Sequence, residues 1–228
     1  MKLLTAALVL LVTACSGTNA DTATTDVDEN MNEVAYASDA SSSSGTINWA
    51  AAPSVAAVGQ IAPDFTLTDV AGNQHSLSNY IADGKTVVLE WFNPDCPVTQ
   101  AYHKKAPVMK SIYGDFKDRD VVWLAVNSGA PGRQGTGTDR NNRAVTEFGI
   151  PYPVLMDSDG NVGHQYAAKT TPHRFVIDQS GVLQYAGGIE ERESGTNYVR
   201  QALAEIGKGQ SCSVSWSKPF GCSVKYAD

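Results

Sequence analysis

The stretch that decides the fold runs from Glu90 to Thr99 and reads Glu-Trp-Phe-Asn-Pro-Asp-Cys-Pro-Val-Thr. It overlaps the β-branched, apolar run Lys85 to Phe92, so a buried strand is predicted to lead directly into a helix. Pro97 has a fixed φ and no N–H, which suits the first helical position and makes Cys96 the predicted N-cap. Unpaired backbone N–H groups and the positive end of the helix dipole would then face the sulfur. The stretch therefore predicts a reactive thiolate at Cys96.

On both sides of this stretch, apolar strand patterns alternate with helical patterns. Strands are predicted over Asp64 to Val70, Lys85 to Phe92, Val121 to Asn127, Tyr152 to Met156, Arg174 to Asp178 and Val182 to Ala186. Helices are predicted over Leu77 to Ala82, Pro97 to about Phe116, Asn141 to Phe148, Val162 to Ala168 and Asn197 to Ile206. This order predicts an α/β fold with a central mixed β-sheet and helices on both faces.

The N-terminus has the pattern of an export signal. The chain begins Met-Lys and continues with the apolar run Leu3 to Leu11, which is too short to span a membrane. The run ends in Val-Thr-Ala-Cys15, which resembles the lipobox of bacterial lipoproteins. This resemblance implies a signal peptide over residues 1–14, a lipid on Cys15 and, because Ser16 follows, a periplasm-facing position at the outer membrane. A soluble exported protein that is cleaved nearby is the alternative.

The composition divides the remaining chain into three parts. From Ser16 to Gly59 there is no Lys or Arg, and there are six acidic residues. We therefore expect a lipidated, disordered tether over 15–58, a folded domain over 59–209 and a C-terminal tail over 210–228. The net charge of −7 comes largely from the tether. The folded part carries no basic stripe, which argues against a nucleic-acid partner.

The domain resembles the thioredoxin fold over about Gly59 to Gly209. The resemblance rests on the strand–Cys–Pro–helix element and on Thr171-Pro172, which stands before a strand where thioredoxin-like proteins have a cis-proline loop. It implies that the Thr171 backbone faces Cys96 and can pair with an extended substrate. Glu90, six residues before Cys96, stands where thioredoxins carry a buried acid. If Glu90 is buried, its pKa should rise and it could pass protons to and from the thiol.

A closer resemblance is to the peroxiredoxin-like branch of the alkyl hydroperoxide reductase and thiol-specific antioxidant superfamily. It rests on Trp91-x-Asn93-x-x-Cys96-Pro97, the segment from Val122 to Gly135, Lys169-Thr-Thr-Pro-His173, and the ending Lys218 to Tyr226. The resemblance implies a thiol-dependent redox activity and no cofactor.

Two departures from these families bear on mechanism. Thr99 stands where a thioredoxin has its second cysteine. Leu89, Asn93 and Pro172 stand where a peroxiredoxin has the proline, threonine and arginine that activate peroxide. Asn93 or Thr99 could instead donate a hydrogen bond to the sulfur, and Arg174 could point into the site.

The tail offers another way to resolve an oxidised Cys96, because it carries Cys212 and Cys222. A tail that folds back could place Cys222 beside Cys96 and give a two-cysteine redox cycle. The alternative is a Cys212–Cys222 staple that leaves Cys96 free. The spacing allows both. The tail itself is too polar and too broken by Pro219 and Gly221 to predict a further core element.

Two of the four histidines bear on the predicted site. His103, seven residues after Cys96, is interpreted as a surface residue. His173 follows Pro172 and is a candidate for lining the site. No metal site is predicted from cysteine and histidine spacing. A copper-binding or redox-linked binding protein that uses Cys96 with His173 is the non-enzymatic hypothesis.

The sequence therefore predicts an exported thiol oxidoreductase. The Cys96 thiolate would attack a disulfide or another oxidant, and Cys222 or an external thiol would resolve the product. The expected partners are thiol or disulfide proteins or a small oxidant, an external reductant, and a membrane reached through the lipid alone. The alternative enzyme is a thiol peroxidase in which peroxide oxidises Cys96 to a sulfenic acid.

Overall fold

The structure, a computed structural model, describes residues 46–191 and 195–227. The expected signal peptide 1–14, the expected lipidation site Cys15 and the tether as far as residue 45 lie outside the described residues. Within the described ranges, no helix is both long and apolar enough to cross a membrane.

Nine strands and six α-helices make up the described part, together with one 3-10 helix and one π-helix. The strands are β1 (Thr66–Asp69), β2 (Gln74–Ser76), β3 (Thr86–Trp91), β4 (Val121–Asn127), β5 (Val154–Met156), β6 (Thr170–Thr171), β7 (His173–Ile177), β8 (Leu183–Gly187) and β9 (Cys222–Ser223). The helices are α1 (Leu77–Ala82), α2 (Pro97–Gln100), α3 (Val108–Phe116), α4 (Thr138–Phe148), α5 (Asn161–Gln165) and α6 (Tyr198–Ile206), with the 3-10 helix at Trp49–Ala51 and the π-helix at Ala101–Lys105.

Seven strands form one mixed sheet in the order β2-β1-β5-β4-β3-β7-β8. The central pairs β3–β4 and β4–β5 are parallel, whereas β7 runs antiparallel to both β3 and β8. Strands β6 and β9 form a separate antiparallel pair. The predicted fold class, an α/β fold with a mixed central sheet, is confirmed.

The alternation of side chains along β3 produces two apolar cores, because successive side chains point to opposite faces of a sheet. Val88 belongs to a cluster with the buried faces of α3, α4 and α6. Val87, Leu89 and Trp91 belong to a second cluster with α1 and α5. All six residues of β3 are buried, so the strand that leads to Cys96 is covered on both sides.

The helix predicted from Pro97 to Phe116 is wrong as a continuous element. It divides into α2, the π-helix Ala101–Lys105 and α3. The break coincides with Pro107, which lacks the N–H that an α-helix interior needs and clashes with the preceding turn. Pro107 is therefore the sequence signal that indicates this break.

Both ends of the domain extend beyond their predicted limits. Before Gly59, the side chains of Ile47 and Trp49 pack against the second core cluster, and the Ala56 N–H donates to Gln165 O at 2.7 Å. After residue 209, the tail contributes β9 and the buried side chain of Val224. The tail was expected to add no further core element, and the buried Val224 corrects this expectation. The contacts that hold the tail are made to distant loops, which local composition does not indicate.

Candidate active site

Cys96 occupies the N-cap of α2, as predicted. Its backbone is extended (φ −80°, ψ 122°), and Pro97 takes the first helical position. The Cys96 N–H donates to Asn93 O at 3.1 Å, which closes the turn between β3 and α2. The side chain is only 2% exposed. The thiol therefore lies beneath the surface, at the start of a helix.

The loop before β7 faces the sulfur. The Cys96 thiol donates to Thr171 O at 3.0 Å. The Thr171-Pro172 peptide bond is cis, as the resemblance to thioredoxin-like proteins implied. Thr171 and Cys96 come from segments 75 residues apart, and the antiparallel pairing of β7 with β3 brings them together.

The second sulfur at the site is that of Cys222. Strand β9 pairs with β6 in a register that sets Cys222 opposite Thr171. The Cys222 side chain lies close enough to Cys96 for each thiol to shift the pKa of the other. Cys212, by contrast, has its sulfur 3.9 Å from Ala202 O on α6. The three described cysteines are free thiols, and the structure brings Cys222, not Cys212, to Cys96.

The two adjacent thiols have opposite pKa shifts. Burial raises the pKa of Cys96, but hydrogen bonds from Cys222 and from the Thr99 N–H outweigh burial and leave this pKa lowered. Burial and the neighbouring Cys96 raise the pKa of Cys222. Cys96 is therefore the better nucleophile of the pair, and Cys222 holds its proton to higher pH.

The tail is held across the site by backbone contacts on both sides of Cys222. Past β9, the Val224 N–H donates to Lys169 O at 3.2 Å, and the Tyr226 hydroxyl donates to Ala168 O at 2.8 Å. Before β9, a Cβ on Gly221 would overlap the Thr171 carbonyl. These contacts fix the position of Cys222 relative to the cis-proline loop.

Glu90 is buried as expected, but the expected rise of its pKa is wrong. Its Oε1 accepts hydrogen bonds from His103 Nε2 and Arg174 Nη2, each at 3.1 Å, and its Oε2 accepts one from the Tyr152 hydroxyl at 3.1 Å. Burial alone would raise the pKa of Glu90, but the charges of His103 and Arg174 outweigh burial and lower it. Glu90 is thus held as a carboxylate, which does not suit proton transfer to the thiol.

Two further expectations fail at the same cluster. His103 is buried rather than on the surface, because the π-helix Ala101–Lys105 shifts the helical register and turns the ring toward Glu90. Arg174 does not point to the sulfur. Its Nη2 contacts Glu90 Oε1 and the sulfur of Met109, and the side chain is buried on the α3 side of the sheet.

Asn93 and Thr99 do not use their side chains on the sulfur. Asn93 Oδ1 accepts from the Asp95 N–H at 2.8 Å, and its Nδ2 donates to Gln134 O at 2.9 Å. The Thr99 hydroxyl is buried and has no hydrogen-bond partner, whereas its backbone N–H lowers the pKa of Cys96. Asn93 therefore positions the turn before Cys96 rather than acting on the thiol.

The glycine-rich segment 129–137 is fixed to that turn by contacts that were not predicted. Gln134 Nε2 donates to Asp95 O at 3.2 Å, and Arg140 Nη2 lies 2.7 Å from Asp95 Oδ1. Gly135 packs so closely on Asn93 that a Cβ there would overlap the amide. The glycines indicated a loop, but nothing local connected it with Asp95.

His173 lies at the start of β7 but is not brought to Cys96. Its ring packs at 4.4 Å from that of Phe175 and lines a cavity of about 250 Å³ with Tyr166, Leu183 and other residues on the α5 side of the sheet. We call this the His173 cavity. Cys96 does not line it. Within the described ranges, no three His, Cys, Asp or Glu side chains are grouped as a metal ion would require.

Comparison with known proteins relates this site to thiol chemistry. The sequence model of the AhpC/TSA family matches residues 58–186. The thiol-disulfide oxidoreductase ResA of Geobacillus kaustophilus is 33% identical over 138 residues, covering 60% of this chain and 73% of that protein. The thioredoxin-like protein YneN of Bacillus subtilis is 27% identical over 141 residues, with 59% and 75% covered.

Two solved structures have a similar fold. A hypothetical protein from Sinorhizobium meliloti superimposes with a TM-score of 0.67 at 23% identity, covering 75% of this chain and 95% of the other. An uncharacterised conserved protein from Geobacillus kaustophilus superimposes with a TM-score of 0.66 at 24% identity, with 75% and 93% covered. At this level of identity, the two structures support the fold alone.

Proposed function

The chain belongs to the AhpC/TSA family and is a thiol oxidoreductase of the thioredoxin-like superfamily, and we propose that it exchanges disulfides through Cys96 and Cys222. The observation that carries this proposal is the pairing of β9 with β6, which sets Cys222 opposite Thr171, whose carbonyl accepts from the Cys96 thiol at 3.0 Å. The ResA relatives are named for the same class of reaction.

The reaction consists of two exchanges. The Cys96 thiolate attacks one sulfur of a substrate disulfide, forms a mixed disulfide and releases the other sulfur as a thiolate. Cys222, once deprotonated, attacks the Cys96 sulfur, forms the Cys96–Cys222 disulfide and releases the second substrate thiolate. The substrate disulfide gains two electrons and the protein dithiol loses two. Two thiol groups of an external reductant then reduce the protein disulfide by two further exchanges and are themselves oxidised to a disulfide.

Cysteine substitutions test this order of events. Cys96→Ser should abolish reduction of insulin disulfides. Cys222→Ser should retain the first exchange and accumulate a mixed disulfide between Cys96 and the substrate, detectable by mass spectrometry. Cys212→Ser is the matched control and should behave as the unmodified protein, because Cys212 contacts α6. Normal turnover by Cys222→Ser, or a Cys212–Cys222 bond in the oxidised protein, would overturn the two-cysteine cycle.

Peroxide reduction ranks second as a proposal. Family membership favours it, but Arg174, the arginine considered for peroxide activation, donates to Glu90 and not to the sulfur. Peroxide consumption by the purified protein well above that of free cysteine, and lost in Cys96→Ser, would reverse this ranking.

Export with a lipid anchor on Cys15 is also proposed. It is supported by the apolar run Leu3 to Leu11 and by the Val-Thr-Ala-Cys15 sequence. Metabolic labelling with palmitate should mark the protein without substitutions and the Cys212→Ser variant, but not the Cys15→Ser variant. Labelling of Cys15→Ser would contradict the anchor, and fractionation of membranes would test its place at the outer membrane.

A further inference from the structure

The His173 cavity combines an apolar wall with a buried polar group that lacks a partner. His173 is 6% exposed, and no described group makes a hydrogen bond to either of its ring nitrogens. Buried polar atoms are nearly always paired in folded proteins. The imidazole therefore marks a place where a ligand can satisfy a donor and an acceptor that the protein itself leaves unpaired.

The cavity is open to solvent through exposed apolar side chains. Three large hydrophobic residues are exposed in the described part of the chain, and two of them, Trp216 (62%) and Val58 (37%), line this cavity. Tyr166, Phe175 and Leu183 form further walls. Exposed apolar surface around a concavity is characteristic of binding sites. At about 250 Å³, the cavity is smaller than the roughly 300–1,000 Å³ typical for drug-sized ligands, so it fits a small one.

The charges around the cavity favour an anion. Lys169 lines it, and none of its described lining residues is acidic. Burial, followed by the charges of Arg174 and Lys169, lowers the pKa of His173 to about 3, so the ring is neutral near pH 7 and keeps one N–H donor. A carboxylate can accept from this N–H and interact with the Lys169 ammonium. The hydroxyl of Tyr166 is already used, because it donates to Pro63 O at 2.7 Å.

We propose that the His173 cavity binds a small apolar monocarboxylate, with its apolar body against Trp216 and Phe175 and its carboxylate against His173 and Lys169. The site is separate from the two thiols and does not depend on the disulfide exchange proposed above. It adjoins that site through the chain, since His173 directly follows Pro172 of the cis-proline loop.

Titration of the full-length protein with benzoate and with benzamide tests the proposal, because the two probes differ mainly in charge. Benzoate should cause saturable shifts of the Trp216 indole N–H and of the His173 backbone amide in ¹H–¹⁵N NMR spectra. Benzamide should bind at least about tenfold more weakly, because a neutral amide loses the ion pair with Lys169 and also accepts a weaker hydrogen bond from His173 than a carboxylate does. Equal affinities, or no saturable benzoate shift at these residues, would overturn the proposal.

Three variants locate the interaction. His173→Phe should weaken benzoate binding by at least about tenfold. Lys169→Met should weaken it by about two- to fivefold, and this substitution is at an exposed position that does not put folding at risk. Lys208→Met is the matched control, since Lys208 is exposed and does not line this cavity, and it should leave binding unchanged. Unchanged binding in a folded His173→Phe, or in Lys169→Met, would refute the assignment.

Discussion

The Glu90 carboxylate accepts hydrogen bonds from His103, Arg174 and Tyr152, and its charge balances a buried guanidinium. Arg174 Nε and Nη1 have no hydrogen-bond partner. Within the described structure, Arg174 forms one ion pair, and Glu90 is its partner. Glu90→Gln keeps the shape and removes the charge. We expect a loss of about 3–5 kcal/mol in the free energy of unfolding, measured by urea denaturation, because breaking one side of a buried ion pair leaves the other charge uncompensated.

The control for this prediction is Glu147→Gln, which makes the same chemical change at the surface. Glu147 lies 3.5 Å from Arg140, and its side chain is 45% exposed. An exposed pair contributes at most about 1 kcal/mol, so the control should change stability little. Equal effects of the two substitutions would mean that the Glu90–Arg174 pair does not stabilise the fold.

The buried His173 ring makes stability depend on pH. Its pKa is about 3 in the folded protein against 6.5 for an ordinary histidine. As the pH falls below 6.5, the unfolded chain takes up a proton that the folded protein does not. The contribution of the neutral ring is therefore complete above pH 6.5 and is lost progressively towards pH 3.

We expect this residue alone to lower the free energy of unfolding by about 1.4 kcal/mol between about pH 7.5 and pH 5.5. The measurement is urea denaturation of the unmodified protein and of His173→Phe at both pH values. The substitution should remove about that much of the pH dependence. The same pH dependence in both proteins would show that His173 is not buried in a neutral form.

Whether a residue's role could be predicted depended on the sequence distance of its partners. Cys96 was identifiable because the feature that places it, Pro97, is adjacent in sequence. The charge state of Glu90 was not, because its partners lie 13 to 84 residues away, in the π-helix, in the loop before β5 and in β7. Local sequence indicated that Glu90 is buried, but not which charges would meet it.

At the scale of elements, strands with continuous β-branched sequence were predicted best. The predicted strand Val121 to Asn127 coincides with β4, because burial on both faces leaves a run of apolar residues. Strand β9 was missed, because a two-residue strand in a polar tail has no such pattern. Its position depends on pairing with β6 and on Gly221, where a side chain would overlap the Thr171 carbonyl.

The loop 129–137 gives the third prediction. Gly135 has φ +74° and packs against Asn93, so Gly135→Ala forces a Cβ into the amide that orders the turn before Cys96. We expect a loss of stability about 1–3 kcal/mol greater than that of Gly132→Ala. Alkylation of Cys96 by iodoacetamide should also change in rate, because the turn positions its sulfur.

Gly132→Ala is a close control, since Gly132 lies in the same loop with φ +80° and no atom lies within 4 Å of the added Cβ. Both substitutions share the cost of a left-handed backbone, and they differ only in the contact with Asn93. Equal stability and equal Cys96 reactivity would contradict a positioning role for Asn93.

At the scale of the whole molecule, the alternation of strands and helices was enough to predict the sheet and its two covered faces. Val88 and Leu89 point to different cores, as neighbouring residues of a strand must. The cis-proline loop was predicted from resemblance to a family, and the strand order was not predicted, since sequence period alone does not specify which strands pair. The predicted limits of the domain, residues 59 and 209, are too narrow, since Trp49 and Val224 lie outside them and pack on the core. Both residues belong to segments whose composition resembles that of a linker.

The last prediction concerns how much of the chain the reactive site requires. The described groups that contact Cys96 or hold Cys222 near it lie between Asn93 and Tyr226. A chain that begins at Gly45 should therefore retain its melting temperature and its disulfide reductase activity.

A chain that begins at Ser54 also lacks Ile47 and Trp49, which pack against the second core cluster. Full burial of a large apolar side chain contributes roughly 1.5–3 kcal/mol to the free energy of unfolding. Ile47 and Trp49 are only partly buried, so the loss should be smaller than this for each of them. Urea denaturation and insulin reduction compare the two truncations with the full chain. Loss of activity in the chain from Gly45 would mean that residues 1–44 contribute to the site, whereas equal stability of both truncations would mean that Ile47 and Trp49 do not stabilise the fold.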